Sequence, residues 1–428
     1  MDEDMDMSGT GGLEPAFEPT PVPPQMVDEN RKMLDLVFVQ DCTGSQGSYI
    51  ASATKNIEEI CNHIYESGKL QTRDDLRIGL VAYRDHPPQD HTYVTRNFGF
   101  SSDISQVHKD LSTLYASGGG DGPEAVTAAL HQALTMEWRP TASKMVVLIA
   151  DAPPHGIGEY GDGSLQIARE MASRGITLFF VACEPALSGY SYATDFYQAI
   201  TNITSGLMLP LTTADLLTHA IVGSVLENLD MERLVREVGQ AVSQRILGNN
   251  ESVDDVAREL HERLLLRNES TKKVVIESIY RDSPEAKHNV DTYMNARTLA
   301  EARPHLQRFA SGPGTRFTDK YLHARMSSSR SSYYGSPYAP LVTDFKAFGA
   351  SPTASVFGTA VQSTPFSLAG GKAAFGGMRT NGRVGTFDDD DDEDEDNGRQ
   401  KVELREDSIT LDQARRIAMQ SAWRSTRM

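Results

Sequence analysis

Leu34-Asp35-Leu36-Val37-Phe38-Val39-Gln40-Asp41-Cys42-Thr43-Gly44-Ser45 is the stretch from which the rest of the chain can be read. Its first six residues are nearly all apolar, the pattern of a strand covered on both faces. The strand ends in Asp-x-Thr-x-Ser, so the carboxylate of Asp41 and the hydroxyls of Thr43 and Ser45 share one tight turn. All three are hard oxygen donors and suit a hard divalent cation such as Mg²⁺ or Mn²⁺. Alone, the motif has a second reading as a plain turn, because Asp, Ser and Thr also bond their own backbone there.

Outward from this strand, apolar runs and helical spacings alternate from 33 to about 230. Ile50, Ala53, Ile57, Ile60, Cys61 and Ile64 recur at helical spacing. Arg77 to Tyr83 reads as a second strand, and Thr92 to Phe98 as a third, joined by a loop short enough for an antiparallel partner. Helices are expected over Ile104 to Leu114 and Ala125 to Trp138, and a continuous apolar strand over Lys144 to Ala150. A helix from Leu165 to Arg174 leads through Gly175 into the strand Ile176 to Cys183. A short helix at Phe196 to Ile200, a short strand at Leu207 to Leu211 and a helix at Ala214 to Leu226 complete the series. Apolar strands alternating with helices predict an α/β fold, a doubly wound, mostly parallel Rossmann-like sheet with one antiparallel edge strand.

The flanks differ in composition. Residues 1–32 are acidic and rich in Gly and Pro, a disorder signature. Residues 231–310 carry two amphipathic stripes, Val235/Val238/Val242/Ile246 and Val256/Leu260/Leu264, and read as a helical extension. Residues 311–400 are a Ser/Gly-rich linker ending in nine consecutive acids, Asp388 to Asp396. Residues 401–428 hold an amphipathic helix opened by a Thr410-x-x-Gln413 capping box.

At 428 residues the chain has room for such a domain with long appendages. Half of its net charge of −18 comes from the acidic run, and no broad basic face for nucleic acid is visible. Three widely spaced cysteines in apolar patterns are no disulfide framework. No secretory signal and no apolar run of membrane-spanning length appear, so a cytoplasmic protein is expected.

In a doubly wound sheet, sites form outside the carboxyl ends of the strands, where strand order reverses. Three polar loops suit that position: Asp41 to Ser45, Gly118-Gly119-Gly120-Asp121-Gly122-Pro123-Glu124, and Asp151-Ala152-Pro153-Pro154-His155. Acids gathered from distant loops repel one another unless a cation neutralises them. With these loops, residues 33 to 228 resemble a von Willebrand factor type A domain. That family's metal-ion-dependent adhesion site has the form Asp-x-Ser-x-Ser, a later Thr and a still later Asp. Asp41, Thr43 and Ser45 match the first part, with Thr for the first Ser, and Asp151 matches the last Asp. Asp121 stands where the middle Thr belongs, as a ligand, an acceptor behind one, or a cap for the helix that starts at Pro123. Asp41 to Ser45, Ala82 to Pro88 and Gly119 to Ala125 together resemble an intracellular subgroup that includes domains attached to alpha-kinases in amoebae. The kinase does not carry over: nothing after 230 reads as its glycine-rich loop, and no Cys beyond 183 could build its zinc site.

The resemblance implies a protein-binding module, not an enzyme, in which Mg²⁺ or Mn²⁺ on Asp41, Thr43, Ser45, Asp121 and Asp151 receives an acidic side chain of a protein partner. Arg84, Asp85, His86, Glu124 and His155 are candidates for the surrounding ligand surface. Arg84 and Asp85 have the alternative of pairing with each other, Glu124 that of favouring a helix dipole, and His155 that of an exposed spectator. Cys42 reads as a buried small residue. Two other readings of the whole remain: a metal-dependent hydrolase with Asp121, Glu124 or His155 as base, and a metal-free scaffold.

Overall fold

The computed structural model of the chain describes residues 31–119, 122–156, 160–309, 316–331 and 400–426. Asp121, nearly all of the tail assigned to 1–32 and most of the linker and acidic run assigned to 311–400 lie outside those residues.

β1 (Leu34–Asp41) is buried at every residue. It lies between two parallel neighbours, β2 (Leu76–Tyr83) and β4 (Ser143–Ala150). β3 (Thr95–Ser101) adds antiparallel to β2, while β5 (Ile176–Cys183) and β6 (Met208–Leu211) extend the other side in parallel. The order is β3-β2-β1-β4-β5-β6. Successive strand side chains point to opposite faces. Leu36 and Phe38 therefore pack with α1 (Gly47–Glu66), α2 (Ile104–Ser112) and α6 (Leu217–Ser243). Val37 and Val39 pack with α3 (Val126–Leu134), α4 (Ser164–Ser173) and α5 (Ala193–Ile203). Helices on both faces explain why the strands are apolar throughout rather than alternating. Gly175, at φ +68°, makes the turn from α4 into β5. The third strand starts three residues later than the sequence suggests, and α3 stops at Leu134 rather than Trp138.

The rest of the chain is built onto this sheet. α6 runs unbroken through residue 230, so the extension shares a helix with the sheet domain. α7 (Val253–Leu266) follows, then β7 (Ser270–Ile276), α8 (Pro284–Asn295), α9 (Leu299–Ala302) and α10 (Asp319–Ser331). β8 (Val402–Ser408) pairs antiparallel with β7, from Ser270↔Ser408 to Ile276↔Val402. A wholly helical reading of 231–310 thus misses β7, and the C-terminal segment begins with a strand. On the edge of β7 away from that partner, the N–H groups of Lys272 and Val274 donate to Asp230 and Glu227 of α6. α11 (Leu411–Ser425), capped by reciprocal bonds between Thr410 and Gln413, packs on α6 and α7. Ile409, Ala414, Ile417 and Ala418 share a core with Leu234, Val235, Val256 and Leu260. Two ion pairs lock the contact, Arg416 with Glu227 and Arg424 with Glu232.

Ile417 is fully buried in this core. Ile417→Ala should lower the unfolding free energy by about 2–5 kcal/mol in urea denaturation. A loss below about 0.5 kcal/mol, typical of a surface position, would show that α11 is not docked.

Candidate metal-ion site at the switch point

The chain leaves β1 toward β2 and later returns to β4 on the opposite side of β1. The carboxyl ends of β1 and β4 are therefore the point where the connections diverge and leave a crevice. Asp41 is the last residue of β1, and Asp151 immediately follows β4.

Backbone bonds hold the surrounding loops in register. Cys42 N donates to Tyr83 O (2.9 Å), Gly44 N to Gly118 O (3.2 Å) and Ser117 N to Cys42 O (3.1 Å). Glu124 N donates to Pro153 O and His155 N to Glu124 O, both at 2.9 Å. Gly118 and Gly119 sit at φ +77° and +79°, a region that disfavours a side chain. A Cβ on Gly118 would also fall 2.2 Å from Asp90 Oδ2.

Within the crevice, Asp41 Oδ1 accepts from Thr43 N (2.8 Å) and Thr43 Oγ1 (2.7 Å), and Oδ2 faces Tyr83 OH at 3.4 Å. Asp41, Thr43 and Asp151 are buried, and Ser45 is exposed at the rim. Burial, and next the nearby Asp151 charge, push the Asp41 carboxyl up to about 7 against the bonds from Thr43 and Tyr83. Burial raises Asp151 as well, against the Ser45 hydroxyl and the Gln46 amide. Among the described residues, no basic side chain forms an ion pair with either acid. Two buried acids that destabilise each other's charge, beside two hydroxyls, are a donor set that a hard divalent cation fits and would neutralise. Among the described residues, no three His, Cys, Asp or Glu side chains gather where they could hold an ion. A metal here depends on Thr43 and Ser45 as well as the acids.

Residues 35–209 match the family model of the von Willebrand factor type A domain. This stretch is a von Willebrand factor type A domain. The alpha-protein kinase vwkA of Dictyostelium discoideum is 35% identical over 124 residues, 29% of this chain and 19% of that protein. A putative ariadne-like RING finger protein of Acanthamoeba polyphaga mimivirus is 28% identical over 213 residues, 45% of this chain and 20% of its own length. The chain spans about a fifth of the length of these relatives. Among solved structures, the pilus adhesin SpaC of Lactobacillus rhamnosus GG is 13% identical with a TM-score of 0.37, covering 47% of this chain and 30% of that one. Proximal thread matrix protein 1 of the mussel byssus is 14% identical with a TM-score of 0.33, covering 46% of each.

Around the crevice of the type A domain, the remaining candidates divide. Arg84 and Asp85 are buried and cannot form an outer ligand surface. They do not pair with each other either: neighbours on an extended segment point to opposite sides. Arg84 faces Asp90 at 3.6 Å, and Asp85 faces His155 at 2.9 Å. The His155 side chain is only 11% exposed, so the reading of it as an exposed spectator is corrected. His86 lies at the rim with its ring 6.0 Å from that of His155. Burial, then the neighbouring His155, lowers the pKa of His86. Glu124 is buried and precedes the first residue of α3 by two positions, so it is not in the helix's first turn. Its Oε1 and the Thr43 side chain both border the space beside Gly119, each 3.3 Å from where a Cβ there would sit. Cys42 is fully buried, and burial pushes its thiol up to about 12, far from a nucleophile's range. The Asp85–His155 pair and the role of Arg84 had no signal in the sequence beyond residue type.

The raised Asp41 carboxyl has a pH signature. Because its folded pKa, about 7, exceeds the unfolded value near 4, the folded state holds the proton more tightly. That stabilisation is complete below about pH 4 and is lost as pH rises to about 7. In chelator, wild-type stability relative to Asp41→Asn should fall across that window, and Mg²⁺ should raise the melting temperature of the wild type alone at pH 7.5. Parallel pH profiles for the two proteins would contradict the account.

Proposed function

We propose that the type A domain is a protein-binding module that works through a Mg²⁺ or Mn²⁺ ion. Type A domains serve as protein-interaction modules. The observation that carries the finer reading is the buried Asp41–Asp151 pair, without a basic partner among the described residues and set beside Thr43 and Ser45. Asp41, Thr43, Ser45 and Asp151 would hold the ion, with Asp121 as a further ligand or acceptor. When bound, the ion supplies a positive point that an acidic side chain of a protein partner can meet. Tyr83 and the loop bonds keep the donors aimed into the crevice without the partner. No helix among the described residues is long and apolar enough to cross a membrane, and the chain's negative charge offers nucleic acid no basic face.

A second reading rests on the Asp85–His155 pair. A buried carboxylate orients a histidine beside the crevice, the arrangement of a general base and its orienting partner. Metal-dependent turnover of a phosphate or acyl ester that is lost in His155→Ala but not in a binding assay would favour a hydrolase. The acid pair and hydroxyls at the ends of β1 and β4 are a donor set for an ion rather than for a nucleophile, so binding remains the reading that the site supports best.

Titration calorimetry should show one Mg²⁺ or Mn²⁺ site, abolished by Asp41→Ala or Asp151→Ala and little changed by Thr43→Ser, which keeps the hydroxyl. Partners captured from extract should be lost both on chelation and in Asp41→Ala. Normal metal binding in both alanine variants moves the site elsewhere. Metal-independent capture by an intact, metal-free domain leaves the scaffold reading.

A further inference from the structure

Among the described residues, Arg84 is the largest fully buried side chain, and the metal reading gives it no role. Its guanidinium joins two loops. Nη1 donates to Thr92 Oγ1 (2.8 Å) in the connection between β2 and β3, and Nη2 donates to Tyr115 O (3.0 Å) in the loop after α2. It faces Asp90 at 3.6 Å and lies over two rings, Tyr93 at 4.8 Å and Tyr115 at 4.6 Å. Asp90 is itself fixed by Thr92, whose N–H and hydroxyl donate to its Oδ1 (2.7 and 2.6 Å), and its other oxygen lies against Gly118. The backbone of Arg84 adds two more ties, receiving from Ala125 N and donating to Val94 O.

The segment held this way, 115–119, is the one that grips the Asp-x-Thr-x-Ser turn. Ser117 N donates to Cys42 O and Gly118 O accepts from Gly44 N, one bond on each side of Thr43. Backbone displacement of Gly118 would carry Gly44, and with it the hydroxyls at 43 and 45. We propose that Arg84 is a positioning residue for the metal-ion site: it sets loop 115–119, which sets the turn that presents Thr43 and Ser45. The inference rests on the metal-binding reading above. The fork of a guanidinium is needed because two acceptors on two loops are met at once, with two rings at 4.8 and 4.6 Å; an ammonium offers neither the planar fork nor the stacking surface.

The test uses the full chain in three forms: wild type, Arg84→Lys, which keeps the charge, and Thr92→Val, which removes one acceptor of the fork. Two quantities are read, the Mg²⁺ dissociation constant and metal-free amide exchange at Gly44 and Ser117. Arg84→Lys should weaken Mg²⁺ about 10–100-fold, as loss of an outer support typically does. It should speed exchange at Gly44 and Ser117 by about tenfold or more while core amides of β1 and β4 stay as in the wild type. Thr92→Val should move both quantities the same way by less. A purely structural role would speed the core amides together with those of the turn. Unchanged exchange at Gly44 and Ser117 overturns the inference, as does faster exchange with unaltered Mg²⁺ affinity. If Arg84→Lys does not fold, Thr92→Val is judged by the same criteria. Wild-type protein that binds no Mg²⁺ sinks the metal reading instead, and the amides alone then decide whether Arg84 holds the loop.

Discussion

Two carboxylates, Asp41 and Asp151, are buried at the ends of adjacent central strands, and among the described residues no basic side chain pairs with them. That arrangement costs folding free energy in a metal-free protein, because burial and mutual repulsion both disfavour the charged forms. It is tolerable only where the surrounding scaffold fixes it. The scaffold here is the six-stranded sheet, whose five parallel strands are largely buried and whose chain reverses its winding at β1. The same reversal that opens a crevice between β1 and β4 forces the two acids to its floor.

Specific bonds then turn a crevice into a site. Thr43 is held on Asp41 through both its backbone N–H and its hydroxyl. The loops at 83–86, 115–119, 122–125 and 151–155 are joined by backbone bonds, so displacement of one is felt by the others. Arg84 and Asp85, adjacent in sequence, serve opposite sides of this ring of loops, one through Asp90, Thr92 and Tyr115, the other through His155. A preorganised donor set of this kind favours ion binding because little order remains to be imposed when the ion arrives.

The central sheet was legible because each strand is an apolar run of the right length and each helix shows its stripe; Leu34 to Val39 and Lys144 to Ala150 left no other reading. Asp41, Thr43, Ser45 and Asp151 were legible as a group because all follow predicted strands. What stayed hidden depends on distance along the chain. β7 and β8 are short and rich in charge, with strong strand signals only at Val274 to Ile276, and their pairing joins residues more than a hundred positions apart. Nothing in the alternating charges of Val402 to Ser408 names Ser270 to Ile276 as the partner. α11 was recognisable from its capping box, but its seat on α6 and α7 rests on tertiary contacts such as Arg416 with Glu227. Arg84 likewise carried no sequence sign that it would be buried, since an arginine at a strand end is most often exposed.

The most direct measurement is an anomalous difference map from crystals of the protein grown with Mn²⁺. The account predicts one strong peak in the crevice between β1 and β4, within coordination distance of Asp41, Thr43, Ser45 and Asp151. A peak elsewhere, or an ordered crevice with no peak at saturating Mn²⁺, would contradict it.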